Sequence, residues 1–188
     1  MDKRRSTPSD YAWGEWLYVT NRCDLSALYN RKRERFFVLC DRWSKVLALI
    51  ASGAAFSSFL TCPEHKAIAA VIVSAVTLPS LLFSWSDKAR IHAELAQKYL
   101  SLRAEITRVG KRAFTEENID HWQAELFLIE KSEPPILSAV LAESHNHIAS
   151  REHQKEKIIK LTGRQKLLAH LFDTHINWPE PKPSATPD

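Results

Sequence analysis

The sequence predicts an all-α fold: a two-helix transmembrane hairpin whose helices extend into a cytoplasmic helical bundle. Three observations predict it. Residues 46–62 and 67–86 are charge-free and mainly apolar, seventeen and twenty residues long, and only Pro63, Glu64, His65 and Lys66 separate them. Apolar positions recur at spacings of three and four through most of the chain, with no alternation of the kind a strand requires. Trp43 and Trp85 are equidistant from Glu64, so in a hairpin they reach one depth.

A bilayer core of about 30 Å takes roughly 20 apolar residues at 1.5 Å each. The second segment meets that length, and the first does so once Trp43 and its neighbours count as interfacial. Four polar residues cannot carry a chain back across a bilayer, so the second segment returns beside the first. The competing reading is a buried helical hairpin in a soluble protein. Paired tryptophans among Arg42, Lys45, Lys88 and Arg90 favour a membrane interface, with Trp43, Lys45, Trp85 and Lys88 as its anchors.

Composition fits this reading. Of 188 residues, 45% are hydrophobic and 26% charged, and the mean hydropathy of −0.28 puts most of the chain outside the hairpin in water. The first long apolar run begins only at Val46, so no signal peptide is expected and the first segment acts as an internal signal. Arg31, Lys32, Arg33, Arg35, Arg42 and Lys45 precede the hairpin, and Lys88, Arg90, Lys98 and Arg103 follow it; the turn holds only Lys66, beside Glu64. The positive-inside rule then predicts both termini in the cytoplasm and the turn outside. The net charge of +4 is explained by these juxtamembrane clusters on anionic lipid, without a nucleic-acid motif, so no nucleic acid is expected as a partner. Cys23, Cys40 and Cys62 have neither disulfide-framework nor zinc spacing.

Taken in order, residues 1–20 read as a lead-in with Pro8 and the aromatic cluster Tyr11, Trp13, Trp16, Leu17 and Tyr18. The cluster either packs on the cytoplasmic helices or lies among headgroups. Residues 21–178 form the main domain. From Leu25, with Asp24 as cap, the positions Leu28/Tyr29, Phe36, Leu39/Cys40, Trp43, Val46/Leu47 and Ile50 keep helical period. One helix of about 38 residues, roughly 57 Å, is expected, its membrane part at about 44–62. The second membrane helix, at about 67–86, contains Pro79, which is tolerated there at the cost of a kink.

That helix is expected to leave the bilayer unbroken into 87–109, with Ile91, Leu95, Tyr99, Leu102, Ile106 and Val109 as a heptad-like seam and Gly110 as its C-cap. The two long helices should then pair antiparallel. Thr115 opens a helix over about 115–132, with Glu116 and Glu117 favoured in its first turn and Ile119, Trp122, Leu126 and Ile129 on its apolar face. Pro134 and Pro135 begin a last helical region, about 135–172, with apolar patches near its end. Residues 179–188, with four prolines, are expected to be disordered.

No catalytic, cofactor or metal site is expected, and the chain does not read as an enzyme. His145 and His147 fall on different helix faces, and there is no HExxH, CxxC, GxSxG or phosphate-loop motif. A nuclease reading of the histidines would require activity lost on His145→Ala and His147→Ala. The informative polar residues lie inside the hairpin. Gly53, Ala54, Ser57, Ser58 and Thr61 share one face of the first segment; Ala70, Ser74, Thr77, Ser80 and Ser84 share one of the second. Such stripes let helices approach closely, or line a water-filled path in an oligomer. With no ring of charged side chains in the segments, only a wide or weakly selective pore is supported.

Three stretches resemble the SLATT family of bacterial two-transmembrane proteins, associated with SMODS nucleotidyltransferases and SLOG sensors. They are Tyr29-Asn30-Arg31-Lys32-Arg33; Ala89-Arg90-Ile91-His92 followed by Leu95, Tyr99, Leu102 and Glu105-Ile106; and Trp122 followed by Ile129-Glu130-Lys131-Ser132-Glu133-Pro134-Pro135 and Asn146. The resemblance covers about residues 25–150. It implies an antiviral-defence or conflict-system effector that forms a pore in the inner membrane or otherwise damages it, leading to abortive infection; the hairpin, the polar stripes and the seam lead us to expect a homo-oligomer, associated through the cytoplasmic helices. Its trigger would be a separate sensor or nucleotide-signalling protein encoded nearby. The alternative, from a different class, is a membrane-anchored scaffold or adaptor whose hairpin is only an anchor and whose docking surface is residues 137–172.

Overall fold

The computed structural model describes residues 10–61, 71, 74–75, 83–111, 113–176 and 178, and every regular element among them is helical. The fold is all-α. Helix α1, Asp10–Thr61, has 52 residues, roughly 78 Å of axial rise. It is followed by α2 (Trp85–Val109), α3 (Glu116–Glu130), α4 (Ser138–Arg151), a 3₁₀ turn at Lys155–Lys157 and α5 (Gly163–Leu168). The chain divides into two compact units, Met1–Lys32 with Leu95–Asp188, and Arg33–Glu94.

In the first unit, Ala12, Trp16, Val19, Cys23 and Ala27 line one stripe of α1 at spacings of four and three. They pack with Leu95, Tyr99, Leu102 and Ile106 of α2, with Phe114, and with Ile119, Trp122, Leu126 and Ile129 of α3. The expected lead-in is thereby corrected. From Asp10 onward it is the first part of α1, and Trp16 is buried while Tyr11, Leu17 and Tyr18 face outward. Asp24 is not a cap either. It lies two-thirds of the way through the first unit's share of α1 and accepts from Arg103 Nε at 3.2 Å on both oxygens. With Asn30 and Tyr99 sharing Glu133 as acceptor, this pair fixes α1 and α2 as antiparallel within the unit.

Helix ends follow local chemistry. Gly110 takes φ +83°, and its N–H donates to the Ile106 carbonyl at 3.3 Å, ending α2 in a left-handed cap. Thr115 caps α3 reciprocally with Asn118, and Glu116 and Glu117 occupy the first turn. The four apolar residues expected to face inward from α3 are buried.

The expected helix over 135–172 is replaced by shorter pieces. Pro134 and Pro135 precede α4 without belonging to it, and Leu137 is the N-cap. After Arg151 the run of charges through Lys157 offers no apolar stripe to bury, and His153 turns the chain at φ +58°. Asn146 then holds the returning strand of chain: its amide accepts from Ile159 N–H and donates to Ile159 C=O, each at 2.7 Å. Tyr29, Ala139, Val140, Ala142, Ile159, Ala169 and Ile176 form the resulting second apolar cluster.

The second unit contains the rest of α1 and the start of α2. Among the described residues no helix is long and apolar enough to cross a membrane. The described charge-free end of α1, residues 46–61, has sixteen residues where a span takes about 20. The predicted turn 63–66, Pro79 and most of the second arm lie outside the described residues, as does the tail 179–188. One difference is visible. The helix expected to run unbroken from the second arm into 87–109 is interrupted at Ser84, whose φ of +43° departs from helical backbone. Its carbonyl accepts from Asp87 N–H at 3.0 Å and Lys88 N–H at 3.2 Å, so α2 starts afresh there.

Candidate functional site

Within the second unit, α1 and α2 meet through a layer of stacked rings. Phe37 is buried and stacks on His92 (5.5 Å between centroids) and on Trp85 (6.0 Å); Trp85 stacks in turn on Phe83 at 5.0 Å. Cations bracket the layer. The Arg33 guanidinium lies 4.5 Å from the Phe37 centroid, and Lys88 Nζ lies 5.5 Å from Trp85, 5.7 Å from Phe83 and 5.9 Å from Phe37. At these distances each ring face attracts the cation. Burial, and secondarily Arg33, push the His92 imidazole down to about 4, so it stays neutral in the stack at ordinary pH.

Just along α1 from this layer the surface changes character. Leu39, Val46 and Leu47 are exposed, as are Trp43 (58%), Ile50 (62%) and Leu49 (75%). Leu39, Trp43, Val46 and Ile50 share one face, Asp41 and Lys45 lie on the other, and from Val46 the run carries no charge; among its described side chains Ala51 is the buried one. Contiguous exposed apolar surface of this kind on a regular helix needs a covering partner.

The four predicted interface residues divide between these features. Trp85 and Lys88 come together in the stacked layer. Trp43 lies on the exposed apolar face, and Lys45 pairs with Asp41 one turn back at 2.6 Å. Of the predicted stripe residues, Gly53 is exposed, with open space where a Cβ would stand. Ser74 is helical and exposed, and Ser84 is exposed at the break before α2. Ser57, Ser58 and Thr61 belong to α1, but their side chains, with Thr77 and Ser80, lie outside the described residues. Ser44 and Ser52 donate to carbonyls of their own helix, at 2.9 Å to Asp41 and 2.7 Å to Ala48.

Sequence reasoning missed Phe37, Phe83 and His92. The signal was available: an antiparallel pair that sets Trp43 level with Trp85 also sets residue 37 level with 91, next to His92.

The first unit carries a polar network in the same spirit. Asn30, fully buried, donates to Glu133 Oε1 at 2.7 Å and to the Ser26 carbonyl at 3.0 Å, and Tyr99 O–H donates to Glu133 Oε2 at 3.0 Å. Burial, then the Glu133 carboxylate, drive the Tyr99 phenol upward, so it remains a donor. Tyr29 O–H accepts from Leu137 N–H at 3.1 Å. Arg22–Glu130 (2.7 Å) and Lys32–Glu143 (3.0 Å) add ion pairs around this clasp. Burial likewise pushes the Cys23 thiol up to about 12, leaving it an inert core group.

Among the described residues no group of three or more His, Cys, Asp or Glu is placed to hold a metal ion. His121 faces Glu105 at 3.5 Å, and His145 meets the edge of Trp178 at 6.1 Å. Together the units define an all-helical protein with a polar-clasped bundle, a cation–aromatic layer and an uncovered apolar helix. No family model, curated protein or solved structure matches the chain.

Proposed function

We propose that the chain is a membrane effector of a bacterial anti-phage or conflict system, similar to the SLATT family. Its two apolar segments insert as a hairpin in the inner membrane with both termini cytoplasmic. Copies associate, and a signal from a separate sensor or nucleotide-signalling partner drives an assembly that permeabilises the membrane. The observation that carries this reading is the exposed apolar surface of α1 from Trp43 to Ile50, which water solvates poorly and lipid covers without cost. The stacked layer of Phe37, Trp85 and Phe83 under Lys88 supports it, because aromatic rings with basic neighbours suit the headgroup level.

In this mechanism the clasped bundle holds the resting arrangement, and the small or hydroxylated residues Gly53, Ser57, Ser58, Thr61, Ser74, Thr77, Ser80 and Ser84 form the faces along which hairpins pack or line a path. No side chain acts as acid, base or nucleophile. The test is induced expression with a membrane-potential dye. Depolarisation on activation supports the pore; cells that stay fully polarised beside a verified activating partner remove it.

A further inference from the structure

The C-terminal segment carries an outward apolar surface that the hairpin does not explain. Hydrogen bonds from Leu171 N–H (3.0 Å) and Phe172 N–H (3.1 Å) to the Leu168 carbonyl continue the turn of α5, so residues 163–172 keep close to helical spacing. At 100° per residue Leu167 and Leu171 lie roughly opposite Ala169. Ala169 is buried in the bundle, whereas Leu167 is 81% exposed and Leu171 and Phe172 more than half exposed. The segment is nonetheless firmly held. Thr162 and Gln165 cap α5 reciprocally, Gln165 donates to the His175 carbonyl at 3.2 Å, and Asp173 accepts from Ser138 N–H at 2.9 Å. A fixed segment whose outward face is leucine and phenylalanine is built for something that covers it.

Charge indicates what. From residue 157 to residue 172 there are four cations, Lys157, Lys160, Arg164 and Lys166, and no acid. All four side chains are exposed. Two copies meeting through this surface would bring eight like charges together, whereas an anionic leaflet complements every one. Lysines and arginines around an apolar ridge are the composition of a helix that lies in the headgroup region.

We propose that the segment 157–172 is a peripheral contact for an anionic lipid surface, with Leu167, Leu171 and Phe172 entering the acyl boundary and Lys160, Arg164 and Lys166 engaging phosphate headgroups. This contact is separate from the hairpin and does not require it.

The test uses the full chain with vesicles of phosphatidylcholine alone or of phosphatidylcholine mixed with phosphatidylglycerol, reading flotation and amide hydrogen exchange across 163–172. Each basic residue near an anionic surface is worth about fivefold in partitioning. Exchange in 163–172 should therefore slow at least about tenfold in the anionic vesicles relative to the neutral ones. High salt should reverse the slowing, as should Lys160→Glu/Arg164→Glu/Lys166→Glu. Leu167→Ser/Leu171→Ser, at exposed sites, should abolish it too, while unchanged exchange across 95–109 shows the bundle intact. Equal exchange in both vesicle types overturns the proposal. So does slowing that follows protein density instead of lipid charge, which would assign the surface to a second copy. Flotation with neutral vesicles reads the hairpin independently: its loss there, with anionic protection kept, rejects the hairpin and not this contact, and failure to associate with either vesicle rejects both.

Discussion

Glu133 is the most informative single position in the bundle, because one carboxylate serves two buried donors. Its oxygens accept from Asn30 Nδ2 at 2.7 Å and from Tyr99 O–H at 3.0 Å, and both donor residues are fully buried. Glu133→Ala takes the acceptor from the Tyr99 O–H and from one Asn30 N–H, while Asn30 keeps its bond to the Ser26 carbonyl. A buried donor left without its acceptor costs about 1–3 kcal/mol, and two together about 2–6 kcal/mol when little water enters. Glu133→Gln keeps the shape and one acceptor oxygen but turns an N–H₂ toward the other donor, so it should cost roughly half as much. In a chain of this size each kcal/mol moves the thermal midpoint by about 2–4 °C, so Glu133→Ala should melt roughly 4–24 °C lower. The assay is far-ultraviolet circular dichroism on heating, for wild type, Glu133→Ala, Tyr99→Phe and the double variant. Partners in contact should show a coupling energy of about 0.5–3 kcal/mol. A Glu133→Ala midpoint within a degree of wild type, or single-variant losses that simply add, would refute the clasp.

Three further outcomes follow from the geometry. His92 is held near 4 when folded against an ordinary value of 6.5, so the unfolded chain binds the extra proton between those values. Stability should be full above about pH 6.5, fall as pH drops toward 4 and level off below; a His92→Gln chain should show a shallower fall over that window in urea titrations. Leu49→Asp separates lipid from water around α1: at an exposed aqueous site it changes stability by about 0.5 kcal/mol or less, whereas inside a bilayer it opposes insertion by roughly 2 kcal/mol or more and should reduce the carbonate-resistant membrane fraction. Replacing residues 44–86 with an unrelated two-span anchor should abolish toxicity on activation; retained activity would favour the scaffold reading.

Several features were legible in the sequence because their causes are local. Thr115 sits at a helix start with its reciprocal partner three residues on, and Ile119, Trp122, Leu126 and Ile129 repeat with helical period, so α3 could be read directly. Gly110 is likewise a short-range signal for the end of α2. The start of α1 was missed although its stripe was periodic, because Ala12, Trp16, Val19, Cys23 and Ala27 include small residues that a search for leucine and isoleucine passes over. The breaks at Ser84 and His153 involve positive φ at positions that no glycine marks in the sequence. Asn30, Glu133 and Asn146 could not be assigned roles, since each acts on a partner distant in sequence that only the fold supplies. The same limit applied to Phe37 and His92, adjacent only once α1 and α2 are paired.

The most direct test of the account concerns the turn between the two apolar segments. In a chain with Cys23, Cys40 and Cys62 replaced by alanine, His65→Cys should react with a membrane-impermeant maleimide in intact spheroplasts, while Glu117→Cys should react only after lysis. Labelling at position 65 that likewise waits for lysis would contradict the inserted hairpin and its orientation.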